Sequence, residues 1–300
     1  MKKISSIFLV LFLCFIFPLH AQSTGIKEYG KKFFLGKTPC ALVVVGYLHD
    51  ADAVNRLIDH AIREAELAHA QLDWRNPNSE VARLNRAGDK NYYKLSKNVL
   101  DLFQRSILIS KWTDGAFDIT ASGKVGDYKS IKLSEGKSAV RLKKEGMQVR
   151  FDGILDGYLA DLLRDYVING GMNHVLAKVG TSYSAMGSRA NGAWKVNVQD
   201  DNGSFAHRAL YIVLKNVASS TANFTDYKDN SITDPRYKKE IPLQARGASI
   251  VMKNASEAQA VSNAVMVLGP QAGYDLLLKL GSVKGMIVDK QGKFFRTPGF

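Results

Sequence analysis

Phe151-Asp152-Gly153-Ile154-Leu155-Asp156-Gly157-Tyr158-Leu159-Ala160-Asp161 changes its period halfway along. Gln148 to Phe151 reads as a strand. Asp152 then offers a side-chain cap to a helix from about Ile154 to Ile168, and Asn169-Gly170-Gly171 ends that helix. Two glycines and three aspartates crowd this one junction. Such boundaries let backbone approach a ligand closely and are where binding groups tend to lie.

On both sides of this junction the chain alternates the two periods. Leu42 to Tyr47 is a dense β-branched run, and Val175–Val179, Trp194–Val198, His207–Leu214 and Ala248–Met252 also read as strands. Val54, Leu57, Ile58, Ala61, Ile62 and Ala65 recur at helical spacing with charges between them, giving an amphipathic helix of about five turns at roughly 3.6 residues each. Lys97 to Trp112 is a second helix, closed by Asp114-Gly115. Ser122 to Glu145 reads as loop with short strands. Ser256 to Leu268 is helical, with Ala260, Ala264 and Val267 on one face and Gly269-Pro270 as its stop. A last helix, Gly273–Leu280, leads into a closing strand, Gly285–Val288. The class is α+β, or α/β with a mixed sheet. No internal repeat and no composition shift divides residues 22–300, which read as one domain.

The first residues read as a secretory signal peptide over 1–21. Lys2 and Lys3 precede the apolar run Ile7–Phe17, Pro18 breaks it, and Ala21-Gln22 is the cleavage point, despite Leu19 at the −3 position. The run is short for a membrane span, which takes about 20 residues. Apolar sequence after Cys14 argues against a lipid anchor there. The expected destination is therefore export, to a periplasm. Once the leader is gone only Cys40 remains, so no internal disulfide can form and stability must come from a packed core. Cys40 opens an apolar run and reads as a buried structural thiol.

The net charge of +13 is scattered rather than gathered into a nucleic-acid-binding signature, so no nucleic-acid partner is expected. A basic surface of this kind attracts anionic ligands. His69, His174 and His207 lack metal-ligand spacing, no Gly-x-Ser-x-Gly elbow supports a hydrolase triad, and the glycine-rich stretches lack a phosphate-loop pattern.

Further stretches complete a pattern. Gly36-Lys37-Thr38, Asn78-Ser79-Glu80 through Asn85, Gly115-Ala116-Phe117-Asp118-Ile119-Thr120, Asp152 through Asp161, Ile232-Thr233-Asp234-Pro235-Arg236 and Ala255 through Gly269 occur in the order of the motifs of the FAD:protein FMN transferase (ApbE) family, which the chain resembles from about Gly36 to Phe295. The resemblance implies an α+β fold of mixed sheets and helices in two closely packed lobes with a cleft between them. It implies transfer of FMN from FAD to a threonine or serine hydroxyl of an exported or membrane client, with release of AMP and with Mg²⁺ as Lewis acid. It points to Thr38, Trp74, Ala116, Phe117, Asp118, Asp156 and Ile232 for the nucleotide, and to Asp234 as a catalytic candidate. For Phe117 and Asp118 a buried ring and a turn cap is the competing reading. For Trp74, flavin stacking competes with packing on the preceding helix. Glu80 and Asn85 read as structural braces.

The departures from the pattern concentrate at the metal. The family places an aspartate and, four residues later, a threonine on one face of its alanine-rich helix; this chain has Gln259 and Asn263. The backbone carbonyl of Leu159 is the third expected ligand. Asp156 stands where the family usually has lysine, Ser231 where it has histidine, Lys178-Val179-Gly180-Thr181-Ser182 replaces an Asn-x-Gly-Gly-Asp turn, and Ser220-Thr221-Ala222 replaces Thr-Ser-Gly. Three outcomes follow: Asp156 restores a weakened metal site and the transferase survives, the chain is an exported flavin-binding protein without turnover, or side chains fill the cleft and no cofactor binds.

Overall fold

The computed structural model of the protein describes residues 25–89, 91–198, 210–223 and 230–300. The leader expected over 1–21, with Cys14, and His207 lie outside them. In chain order the elements are β1 (Ile26–Leu35), β2 (Thr38–Tyr47), α1 (Ala51–Leu72), α2 (Glu80–Ala87), β3 (Tyr93–Lys94), α3 (Lys97–Trp112), β4 (Ile131–Ser134), β5 (Ala139–Leu142), α4 (Leu155–Asn169) and β6 (Val175–Val179). There follow β7 (Ser182–Met186), β8 (Trp194–Val198), β9 (Leu210–Leu214), β10 (Ala218–Asn223), β11 (Ser231–Asp234), β12 (Lys239–Pro242), β13 (Ala245–Met252), α5 (Ala255–Leu268), α6 (Pro270–Leu280), β14 (Lys284–Asp289) and β15 (Phe294–Arg296).

Among the described residues the main sheet runs β1-β2-β6-β7-β10-β13-β14-β15, and every neighbouring pair is antiparallel. Alternation along the strands explains its two coverings. Leu42, Val44, Val175, Ala177, Val179, Ala248 and Ile250 enter the large core shared with the helices. Val43, Val45, Leu176, Tyr183 and Ala185 point the other way, under the β8–β9 hairpin that contributes Trp194, Val196 and Leu214. A smaller sheet, β3-β5-β4, joins α2 and α3 in the same large core, where Phe103 meets Phe151 edge-on with ring centroids 5.0 Å apart. The fold is α+β, as expected from the sequence. Among the described residues no helix is long and apolar enough to cross a membrane.

Three local expectations are corrected. Gln148–Phe151 belongs to no sheet: Asn85 holds both the N–H and the C=O of Val149 at 2.9 Å, and Arg150 N donates to Ile119 O at 2.8 Å. Ile119-Thr120, which that bond holds, forms a turn in which Asp118 Oδ1 accepts from Thr120 N at 2.8 Å. Asp152 does not cap α4; its carboxylate faces Trp74 and Arg75 instead. Gly269 and Pro270 do not merely stop α5, since Pro270 supplies the first turn of α6. Glu80 and Asn85 are braces: Glu80 Oε2 accepts from Ser96 N at 2.7 Å. Burial pushes the Cys40 thiol up to about 11, consistent with a structural role.

The crossing of α4 and α5 organises the rest. Asp161, buried in α4, accepts from Ala255 N (2.8 Å) and Ser256 N (3.0 Å), which are orphan donors at the start of α5. Ser256 Oγ and Ser184 Oγ also donate to it, at 2.8 and 2.7 Å, and Arg164 Nη1 approaches to 3.2 Å. The helices can come this close because Gly157 carries no side chain: a methyl there would lie 2.2 Å from the Ala255 carbonyl oxygen. Asp161→Ala removes the carboxylate and leaves the buried Ala255 and Ser256 donors without their acceptor, while Arg164 keeps only Asp165 and Ser184. It is expected to cost about 3–5 kcal/mol, read as a lower midpoint in urea unfolding with unchanged slope.

Candidate functional site

One helical turn before Asp161, the same crossing opens into a cleft of about 420 Å³. Its walls are the approach to α4 (Asp152, Gly153, Asp156), the β6–β7 turn (Gly180, Thr181), β10 (Ser220–Ala222) and one face of α5 (Gln259, Ser262, Asn263). The floor strands are tied by buried hydroxyls, Ser182 Oγ to Ser220 Oγ at 2.9 Å and Thr221 Oγ1 to Ser249 Oγ at 2.8 Å. A larger groove of about 750 Å³, between β9 and the C-terminal residues, contains none of the motif residues.

The structure brings several predicted residues together here. Gly180, at φ +55°, leaves room for its neighbours: a methyl on it would lie 2.7 Å from Asp156 Oδ2 and 3.3 Å from Thr38 Cγ2. Thr38 and Asp156 therefore flank one turn at the rim. Phe117 is buried under Gly153, whose added methyl would meet the ring edge at 3.3 Å and Asn263 Nδ2 at 3.4 Å. Ala116 is buried beside it.

Asp118 is not among the residues that line the cleft. Its two oxygens hold Thr120 N and Tyr128 N at 2.8 Å, and burial raises its carboxyl above the ordinary value against those hydrogen bonds. Lys238 crosses to the same loop and donates to Thr120 O at 2.6 Å; burial lowers its ammonium. Trp74 sits at the mouth. Its Nε1 donates to Asp152 Oδ2 at 2.9 Å, and the Arg150 guanidinium lies 3.7 Å from its ring centroid. Arg75 adds a 2.9 Å ion pair to Asp152. Arg150 was not singled out in the sequence, and Asp152 was read there as a helix cap rather than as the partner of Trp74 and Arg75; the spacing Arg150-Phe151-Asp152 ahead of the glycines was the available signal.

Ile232 is half-buried against the core on the β11–β12 hairpin. Asp234, at its end, is buried in a fork with Arg236, with Oδ2 to Nη2 at 2.6 Å and Oδ1 to Nε at 2.9 Å. Burial works to raise the Asp234 carboxyl, but the Arg236 hydrogen bonds prevail and hold it below its ordinary 3.8. A carboxylate so engaged positions a hairpin and is poorly placed to accept a proton.

The residues at the expected metal position do not fit Mg²⁺. Gln259 Oε1 accepts from Gly157 N at 2.8 Å and its Nε2 faces Asp152 O at 3.4 Å. Asn263 Nδ2 donates to Gly153 O at 3.0 Å and to Gln259 O at 3.1 Å. Amide N–H groups thus take the carbonyl oxygens that a hard cation would seek. Leu159 is fully buried in the second turn of α4, and the carbonyls that α5 reaches are instead those of Asp152 and Gly153. Among the described residues no group of three or more His, Cys, Asp or Glu could hold a metal ion.

The model of the ApbE family matches residues 37–126 and 121–287, so the chain belongs to the ApbE family. A FAD:protein FMN transferase of Klebsiella pneumoniae (strain 342) is 24% identical over 286 residues, covering 80% of this chain and 81% of that protein. One from Escherichia coli (strain K12) is 22% identical over 255 residues, covering 73% and 72%. The flavinyl transferase ApbE of Pseudomonas stutzeri, apo form, superposes with a TM-score of 0.79 at 20% identity over 91% of this chain and 94% of that one. The flavin transferase ApbE of Vibrio cholerae gives 0.77 at 15%, over 92% and 98%. At these identities the superpositions speak for the fold.

Asp234→Asn tests the structural assignment. The folded carboxyl lies below its unfolded value, so its contribution is present above about pH 3.8 and is lost as pH falls through the folded value. The variant is expected to be less stable by about 2 kcal/mol at pH 7. That gap in urea unfolding should close in acid below pH 3.8.

Proposed function

We propose that the protein is an exported member of its family that takes FAD into the α4–α5 cleft and transfers FMN to a threonine or serine hydroxyl of an exported or membrane client protein. In that reaction the client hydroxyl oxygen bonds to the FMN phosphorus, the pyrophosphate P–O bond breaks, AMP leaves with the bridging oxygen, and the hydroxyl proton passes to solvent. The observation that carries the reading is the convergence of family motifs from four separate stretches, around residues 38, 117, 153–156 and 259–263, on one cleft. The residues offered to the nucleotide are Thr38 and Asp156 at the rim, Phe117 beneath Gly153, and Trp74 at the mouth. A net charge of +13 favours approach of an anionic dinucleotide.

A second reading, flavin binding without turnover, is favoured by the amide side chains at 259 and 263, which leave no carboxylate on that face of α5 to gather a cation at the pyrophosphate. The two readings separate in one experiment. Purified protein is incubated with FAD, with and without MgCl₂, and with threonine-containing peptides from exported flavoproteins. AMP is followed by chromatography and covalent flavin by in-gel fluorescence. The first reading predicts stoichiometric AMP and fluorescent peptide. Bound flavin without AMP selects the second, and no bound flavin rejects both.

A further inference from the structure

We propose that Gln259 and Asn263 form an amide clasp that replaces a divalent cation, so that the cleft is held open and takes its flavin dinucleotide without metal. The part of this concerning the dinucleotide rests on the reading above; the part concerning the clasp does not.

Gln259 meets a donor and an acceptor together: the Gly157 N–H, an orphan group in the first turn of α4, and the Asp152 carbonyl. A primary amide is the side chain that presents both an oxygen and an N–H₂ to such a pair. A carboxylate at this position can take the Gly157 N–H with one oxygen. Its second oxygen then faces the Asp152 carbonyl, lone pair against lone pair, with the Asp152 and Asp156 carboxylates lining the same cleft. That arrangement needs a cation between the oxygens. Carboxylate plus cation and amide alone are two solutions to one hydrogen-bonding problem, and this chain has the second. Asn263, one turn on, adds a second amide donor, to Gly153 O at 3.0 Å. The clasp therefore spans the three backbone positions at which the chain turns into α4.

The test uses the full mature chain. Thermal unfolding of the wild type is followed while MgCl₂ or MnCl₂ is titrated in, and again in EDTA. The expected result is one melting temperature throughout. A saturable rise with either metal, reversed by EDTA, overturns the proposal. Gln259→Glu, nearly isosteric, is expected to melt lower than wild type in EDTA and to recover on adding MgCl₂. Equal melting of this variant and wild type in EDTA also overturns it. If the variant does not fold, the wild-type titration still decides. FAD binding by fluorescence quenching is then compared in EDTA and MgCl₂. Affinities within twofold support the inference, and binding only with metal contradicts it. Absence of binding in both rejects the dinucleotide reading, while the melting curves continue to judge the clasp.

Discussion

The Asp161 carboxylate, buried in α4 and gripping the first backbone N–H groups of α5, is the constraint on which the site depends. It fixes the crossing of the two helices at a separation that only a glycine at 157 permits. Ser184 and Arg164 tie the same carboxylate to β7 and to its own helix, so helix crossing and sheet are joined at one buried group. One turn earlier along α4 and one turn later along α5, the same geometry brings Gln259 and Asn263 over the backbone of residues 152–157. The cleft is what remains between these two fastenings, the β6–β7 turn and β10.

This arrangement separates two tasks that a bound cation would combine. One is mechanical: satisfying the carbonyls and the N–H at the start of α4. The amides do this within the chain. The other is chemical: neutralising charge on a pyrophosphate as it breaks. Neutral amides supply hydrogen bonds and no net charge, so the mechanical task is met in full and the chemical one only in part.

Much of the fold was legible from residues alone. The helix Lys97–Trp112 and the strands Val175–Val179 and Trp194–Val198 have the bounds that periodicity and glycine placement give them. The strands missed, such as Ser182–Met186 and Ala218–Asn223, are rich in serine, threonine and alanine. Their hydroxyls pair with one another across the sheet, a tertiary arrangement that carries no hydrophobic period. The stretch Gln148–Phe151 misled for the converse reason: it has a strand's composition, but a side-chain amide from Asn85 takes the hydrogen bonds a neighbouring strand would have made. At the site, the i,i+4 pair at 259 and 263 was readable as a common helix face. That both amides turn toward the chain's own backbone was not, because their partners lie about a hundred residues away in sequence. Asp118 and Asp234 show the same limit: the carboxylates were visible, but their commitment to Thr120, Tyr128 and Arg236 is a matter of packing.

The central claim is that a cleft fastened by its own side chains still accepts a flavin dinucleotide. A crystal structure of the protein grown with FAD in the presence of MgCl₂ addresses it directly. The account predicts dinucleotide density between α4 and α5, with Gln259 still on the Gly157 N–H, Asn263 still on the Gly153 carbonyl, and no ion between them. An ion seated between the α5 side chains and those carbonyls, or a cleft left empty at saturating FAD, would contradict it.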